Sequence, residues 1–196
     1  MEALKALLGL AAAGRKSLLE WDEWSSDGPV EVLHSDISRA YFNAPTTEPT
    51  YIRIPEEDWE PGDERMCGML LVSMYGTRKA ASNWEAHYSD WLISLGFERG
   101  TGYPLIFLNK SRNIKLMVHG DDFITVGRTK QLAWFEREMN KKYESKHVRL
   151  GESVGAVQSI KVLNRIITWE KHSIGVEADT RHIITALNDL KNIFKR

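Results

Sequence analysis

Cysteine is almost missing from this 196-residue chain. Cys67 stands alone, so no intrachain disulfide can form, and a reducing, intracellular compartment is the expected setting, with cytoplasm and nucleus not distinguished. No apolar run approaches the roughly 18 residues of a membrane span. The opening MEALKALLGLAAAGRKSLLEW is interrupted by Lys5 and Arg15, and with Glu2 and no basic leader it reads as an amphipathic helix, not a signal peptide. Neither an internal repeat nor a low-complexity tract is present. Charge of one sign is not in excess either, the formal net charge being -1, and 42% hydrophobic with 27% charged residues is an ordinary globular composition, long enough for a real core. That balance hides an asymmetry: residues 1–65 hold 14 Asp and Glu against 6 Lys and Arg, the remainder 13 against 20. The basic remainder is either a polyanion-binding face or a set of solvated helix surfaces.

What is there alternates between helical and strand periods. Ala81, Trp84, Tyr88, Trp91, Leu92 and Leu95 recur every three or four residues and predict a helix ended by Gly96. YPLIFLN and IKLMVHG come next, separated by KSRN, and read as a hairpin. Leu132, Phe135 and Met139 mark another amphipathic helix, residues 154–177 look like short strands joined by turns, and a last helix uses Ile183, Leu187, Leu190 and Phe194. Upstream, VEVLHSD reads as a strand ending in an acid, TEPTYIRIP as a loop with a short strand, and PEEDWEPGDER as an exposed loop or hinge. This order predicts an α+β fold, an antiparallel or mixed sheet backed by helices.

The segment IKLMVHGDDFITVG sets two adjacent carboxylates between apolar runs. Gly120 and Asp121 suit the centre of a two-residue hairpin turn of type II′, whose first position needs positive φ. Taken alone, Gly-Asp-Asp is also an ordinary polar turn. Asp36 closes a second strand-like segment, and if that strand lies beside the hairpin, three carboxylates meet at one sheet end, where they need cations. Mg²⁺ or Mn²⁺ suits such hard oxygen donors, and two such ions serve phosphoryl transfer.

DISRAYFNAP, YIRIPEE, SMYGTRKAASNW, GFERGTGYPLIF and VHGDDFITVG resemble, in that order, the reverse transcriptase of copia-type LTR retrotransposons across about residues 36–127. LNRIITWEKHSIGVEADTRHI is similar to the segment after that core, and MEALKALLGLAAA to the helix preceding its first aspartate. The resemblance implies a polymerase palm over residues 1–150 and a ββα extension, thumb- or connection-like, over 151–196. It makes Asp36, Asp121 and Asp122 the catalytic, metal-binding acids, with Ile37 offering a backbone carbonyl to a metal. Tyr41 falls at an aromatic steric gate against the sugar of the incoming nucleotide, core packing being the other reading for it and for Phe42.

Gly76, Arg78 and Lys79 fall where the nucleotide and templating base are supported, although two basic residues opening a helix are also commonly just solvated. Lys141, Lys142, Lys146 and Arg149 form a basic stretch suited to a nucleic-acid backbone. His119 stands where the family has a tyrosine, as a primer-backbone contact or a plain strand-end histidine. Implied partners are a primer-template of RNA or DNA and deoxynucleoside triphosphates, with no membrane; the oligomeric state is left open. Departures are Ala81 in place of a proline, His119-Gly120 in place of Tyr-Val, and only about 35 residues before Asp36, so that the fingers are expected to be largely missing and the chain alone to synthesise little DNA. A decayed or domesticated palm that binds nucleic acid without polymerising, and an unrelated phosphotransferase or structural α+β domain, stay open beside the polymerase reading.

Overall fold

Leu4, Leu7, Leu8 and Ala11 recur at helical spacing, and the computed structural model folds them into α1 (Glu2–Arg15) with all four side chains buried. The structure describes residues 2–15, 25–171, 173–177 and 180–193. Along the chain come β1 (Val30–Ile37), β2 (Tyr51–Arg53), β3 (Cys67–Met69), α2 (Ala80–Ser94), β4 (Glu98–Arg99), β5 (Ile106–Asn109), β6 (Ile114–His119), β7 (Asp122–Arg128), α3 (Thr129–Lys142) and β8 (Ser145–Leu150). The C-terminal part holds β9 (Ser159–Val162), β10 (Arg165–Trp169), β11 (Ile174–Val176) and α4 (Thr180–Ile193), so the expected ββα extension carries three strands, not two.

Six strands form the main sheet in the order β4-β5-β6-β7-β1-β8, every neighbouring pair antiparallel. The predicted α+β architecture is therefore the observed one. Because successive side chains point to opposite faces, β1 divides cleanly. Leu33 and Ile37 join Phe107, Leu116, Val118 and Phe123 under α2 and α3. Val32 joins Met117, Ile124 and Val126 under α1 and the β9-β10-β11 sheet. Both faces of the sheet are thus covered, and β1, flanked by β7 and β8, is an interior strand. Its buried Glu31 is held by the backbone N–H of Ser153 at 2.7 Å and the Ser153 hydroxyl at 2.9 Å, two donors that offset the cost of burying the carboxylate.

Beyond the sheet, β2 and β3 pair as a short separate ladder. PEEDWEPGDER lies between them as two exposed single-turn 3₁₀ helices. On α4, Leu187 and Leu190 are half exposed, so the apolar positions expected to pack on that helix stand open to solvent. The Ile183 side chain and Phe194 lie outside the described residues. Among the described residues no helix is long and apolar enough to cross a membrane.

Candidate active site

Everything at the site depends on one register. β6 ends at His119 and β7 begins at its cross-strand partner Asp122, leaving Gly120 and Asp121 as a two-residue turn. Gly120 takes φ +66° with open space around it, the conformation that the turn requires and glycine supplies. From α2, the Trp84 indole N–H donates to the Gly120 carbonyl at 2.8 Å and fixes the turn against the helix. On the other side of β7, Asp36 of β1 is the direct partner of Asp122, and the Ile37 backbone N–H donates to the Asp121 carbonyl at 3.1 Å. Directly paired residues share a face, so Asp36 and Asp122 project together, with Cβ atoms about 5 Å apart by the usual cross-strand geometry.

Adjacent registers extend this into a row across the sheet end: Lys146, Asp36, Asp122 and His119. His34, two residues before Asp36 and on the same face, lies behind the row, its Nε2 at 2.6 Å from Asp122 Oδ1. Asp121, in the turn, lies near Tyr75, whose hydroxyl pKa is raised first by burial and then by the Asp121 charge. Tyr75 packs on Tyr41 with ring centroids 4.4 Å apart and meets Phe42 edge-on at 5.8 Å. The loop bearing Tyr75 is tied to α2 through Asn83, which donates to Ser73 Oγ at 3.0 Å and accepts from Thr47 Oγ1 at 2.9 Å. Among the described residues, no three carboxylate, imidazole or thiol groups are grouped as a metal site.

Other expected site residues are more dispersed. Gly76 sits beside Tyr75 with φ +86° and an open approach, Arg78 is exposed, and Lys79 reaches Glu48 at 3.6 Å. Lys141 is paired with Glu138 and Arg149 with Glu136, both at 2.7 Å, while Lys142 and Lys146 are exposed. Alternation along β8 sends Lys146 to the aspartate face and Arg149 to the α3 face, so the basic stretch is not one surface. Sequence reasoning overlooked His34 and Tyr75. The first was signalled by lying two strand residues before Asp36, the second by its place immediately before Gly76.

Behind the row, on the opposite face, His147 joins three elements. Its Nε2 lies 3.1 Å from Asn140 Oδ1, which can only accept, so the ring proton sits there and Nδ1 accepts from the buried Ser35 hydroxyl at 2.8 Å. Burial, before any charge, lowers the pKa of His147, and burial followed by Lys142 lowers that of His87. A histidine whose folded pKa is depressed binds its proton more readily when unfolded. Its contribution to stability is complete above the unfolded value of about 6.5 and is lost as pH falls below it. The urea midpoint is therefore expected to drop between about pH 7 and pH 5, before carboxylate protonation begins, and His147→Gln should flatten that drop.

The family model described as reverse transcriptase (RNA-dependent DNA polymerase) matches residues 24–164. The Ty1-DR5 and Ty1-LR2 Gag-Pol polyproteins of Saccharomyces cerevisiae are each 30% identical over 170 residues, covering 83% of this chain and 9% of their own length. A solved apo telomerase from Candida tropicalis, truncated from its C-terminal domain, superposes with a TM-score of 0.46 at 12% identity over 90% of this chain and 45% of that one.

Proposed function

We propose that this chain, which belongs to the reverse transcriptase (RNA-dependent DNA polymerase) family, carries the palm of a copia-type retrotransposon polymerase, with Asp36, Asp121 and Asp122 as its nucleotidyl-transfer centre. The supporting observation is the cross-strand pairing of Asp36 with Asp122 beside the Gly120-Asp121 turn. Carboxylate oxygens at the open end of a sheet fit a hard divalent cation. Mg²⁺ or Mn²⁺ held there would supply Lewis-acid stabilisation to charge developing on phosphoryl oxygens.

The residues around the acids then do the positioning. A primer 3′-hydroxyl attacks the α-phosphorus of a deoxynucleoside triphosphate and pyrophosphate leaves, so sugar, triphosphate and primer end must be aligned. The rings of Tyr41 and Tyr75, in contact and tilted by 34°, form a wall for the sugar. Arg78, exposed beside Gly76, is placed for phosphate more freely than Lys79, which Glu48 engages. Lys146, next to Asp36 in register, and exposed Lys142 offer charge to the primer-template backbone, and His119, the cross-strand partner of Asp122, is the residue that would meet the primer backbone.

Calorimetry with Mn²⁺ tests the centre: the wild type is expected to bind weakly, and Asp121→Asn with Asp122→Asn to remove the binding. Equal affinities would overturn the proposal. Because the relatives are far longer, nucleotide addition is best followed with residues 1–196 joined to the upstream region of a Ty1 polyprotein. There Tyr41→Ala, by opening the wall that a 2′-hydroxyl would meet, should reduce discrimination against ribonucleotides by roughly tenfold to a hundredfold in kcat/KM. Unchanged discrimination would assign Tyr41 to packing alone.

A further inference from the structure

Of the three acids, only Asp122 has a side-chain hydrogen bond to another described residue. Its partner, His34, sits in the interior strand β1, held on both sides by β7 and β8, whereas Asp122 opens β7 directly after the turn. The rigid member of the pair is the imidazole. An ionised carboxylate only accepts, so Nε2 carries the proton and donates to Oδ1 at 2.6 Å, at the short end for a bond to a charged acceptor. Side-chain exposures of 16% and 24% mean that water competes little for this bond.

From this geometry we infer that His34 is the positioning residue of the centre: it fixes Oδ1 of Asp122 and thereby leaves Oδ2 as the one oxygen presented beside Asp36 to a divalent cation. Without it the Asp122 carboxylate, which has no other side-chain hydrogen bond to a described residue, samples several rotamers, and all but one must be given up when a cation binds. Groups that orient a metal ligand in this way commonly govern affinity by about 10–100-fold. The inference rests on the proposed role of Asp36 and Asp122 as cation ligands and adds to it the residue that sets their arrangement.

The test is Mn²⁺ affinity, read by calorimetry and by the free-ion paramagnetic resonance signal, on the 196-residue chain. His34→Ala is expected to weaken binding about tenfold or more. His34→Gln, whose amide nitrogen reaches about as far as Nε2, should restore binding to within about threefold. His34→Asn, reaching only as far as Nδ1, should behave like alanine. Urea midpoints of the three variants identify any loss of fold, and because glutamine and asparagine are equally polar, their contrast does not depend on the alanine variant folding. Affinity in His34→Ala equal to or above that of the wild type would overturn the inference, since His34 would then be indifferent or a competitor for Asp122. Mn²⁺ binding that ignores Asp122→Asn while responding to His34 would instead sink the proposed centre.

Discussion

Trp84→Ala is expected to cost about 3–5 kcal/mol of unfolding free energy, a large part of the roughly 5–15 kcal/mol typical of a domain. The indole is 1% exposed and packs edge-on against Tyr88 and Tyr143, each at 5.4 Å, and Phe123 at 6.4 Å, so alanine leaves a cavity in the core of the α2 and α3 face. Urea unfolding measures this directly, with a lower midpoint and an unchanged slope. Trp84→Phe separates two roles. Phenylalanine keeps most of the buried area but removes the N–H that donates to Gly120, a hydrogen bond worth about 1 kcal/mol. Since that bond anchors the turn carrying Asp121, Mn²⁺ affinity in Trp84→Phe should fall by more than its small stability loss suggests. A fully stable Trp84→Phe protein that binds Mn²⁺ like the wild type would show the turn to be held by its strands alone.

The strand ends and the turn were legible because their signals are local. Gly120-Asp121 between two apolar runs specified a two-residue loop, and the structure has that loop with positive φ at Gly120. The helical periods at Trp84, Tyr88 and Leu92 and at Leu132, Phe135 and Met139 marked α2 and α3. β8 was hidden in the basic stretch. Lys146, Val148 and Leu150 alternate with Ser145, His147 and Arg149, but polar residues occupy both faces, and its partner in the main sheet among the described residues is β1, far away along the chain. The same cause obscured the site around the acids. Sequence names Lys146, Asp36, Asp122 and His119 separately, and only the β8-β1-β7-β6 register lines them up. Of the charge surplus of the second part, the sequence could not tell which cations are paired: Glu136 and Glu138 on α3 engage Arg149 and Lys141.

Asp36→Ala in the polypeptide extended by the Ty1 upstream region should lower Mg²⁺-dependent primer extension by about 10³-fold or more while leaving stability nearly unchanged. A cation held by these acids, as proposed, would supply several kcal/mol of transition-state charge stabilisation, and each step of about 1.36 kcal/mol is a factor of ten in rate. Against that loss, the fold gives up little: Asp36 is only partly buried, makes no hydrogen bond through its carboxylate among the described residues, and faces a like charge across the strand pair. Removing one of two neighbouring carboxylates relieves repulsion, so the urea midpoint should hold within about 0.5 kcal/mol of the wild type or rise. A residue that serves packing gives the opposite pattern, stability falling with activity. If Asp36→Ala unfolds the protein, the acid is structural and the centre lies elsewhere. If the unsubstituted polypeptide folds and binds primer-template yet adds no nucleotide, the palm binds nucleic acid without polymerising, and the pairing of Asp36 with Asp122 is what remains of an activity that the chain no longer performs.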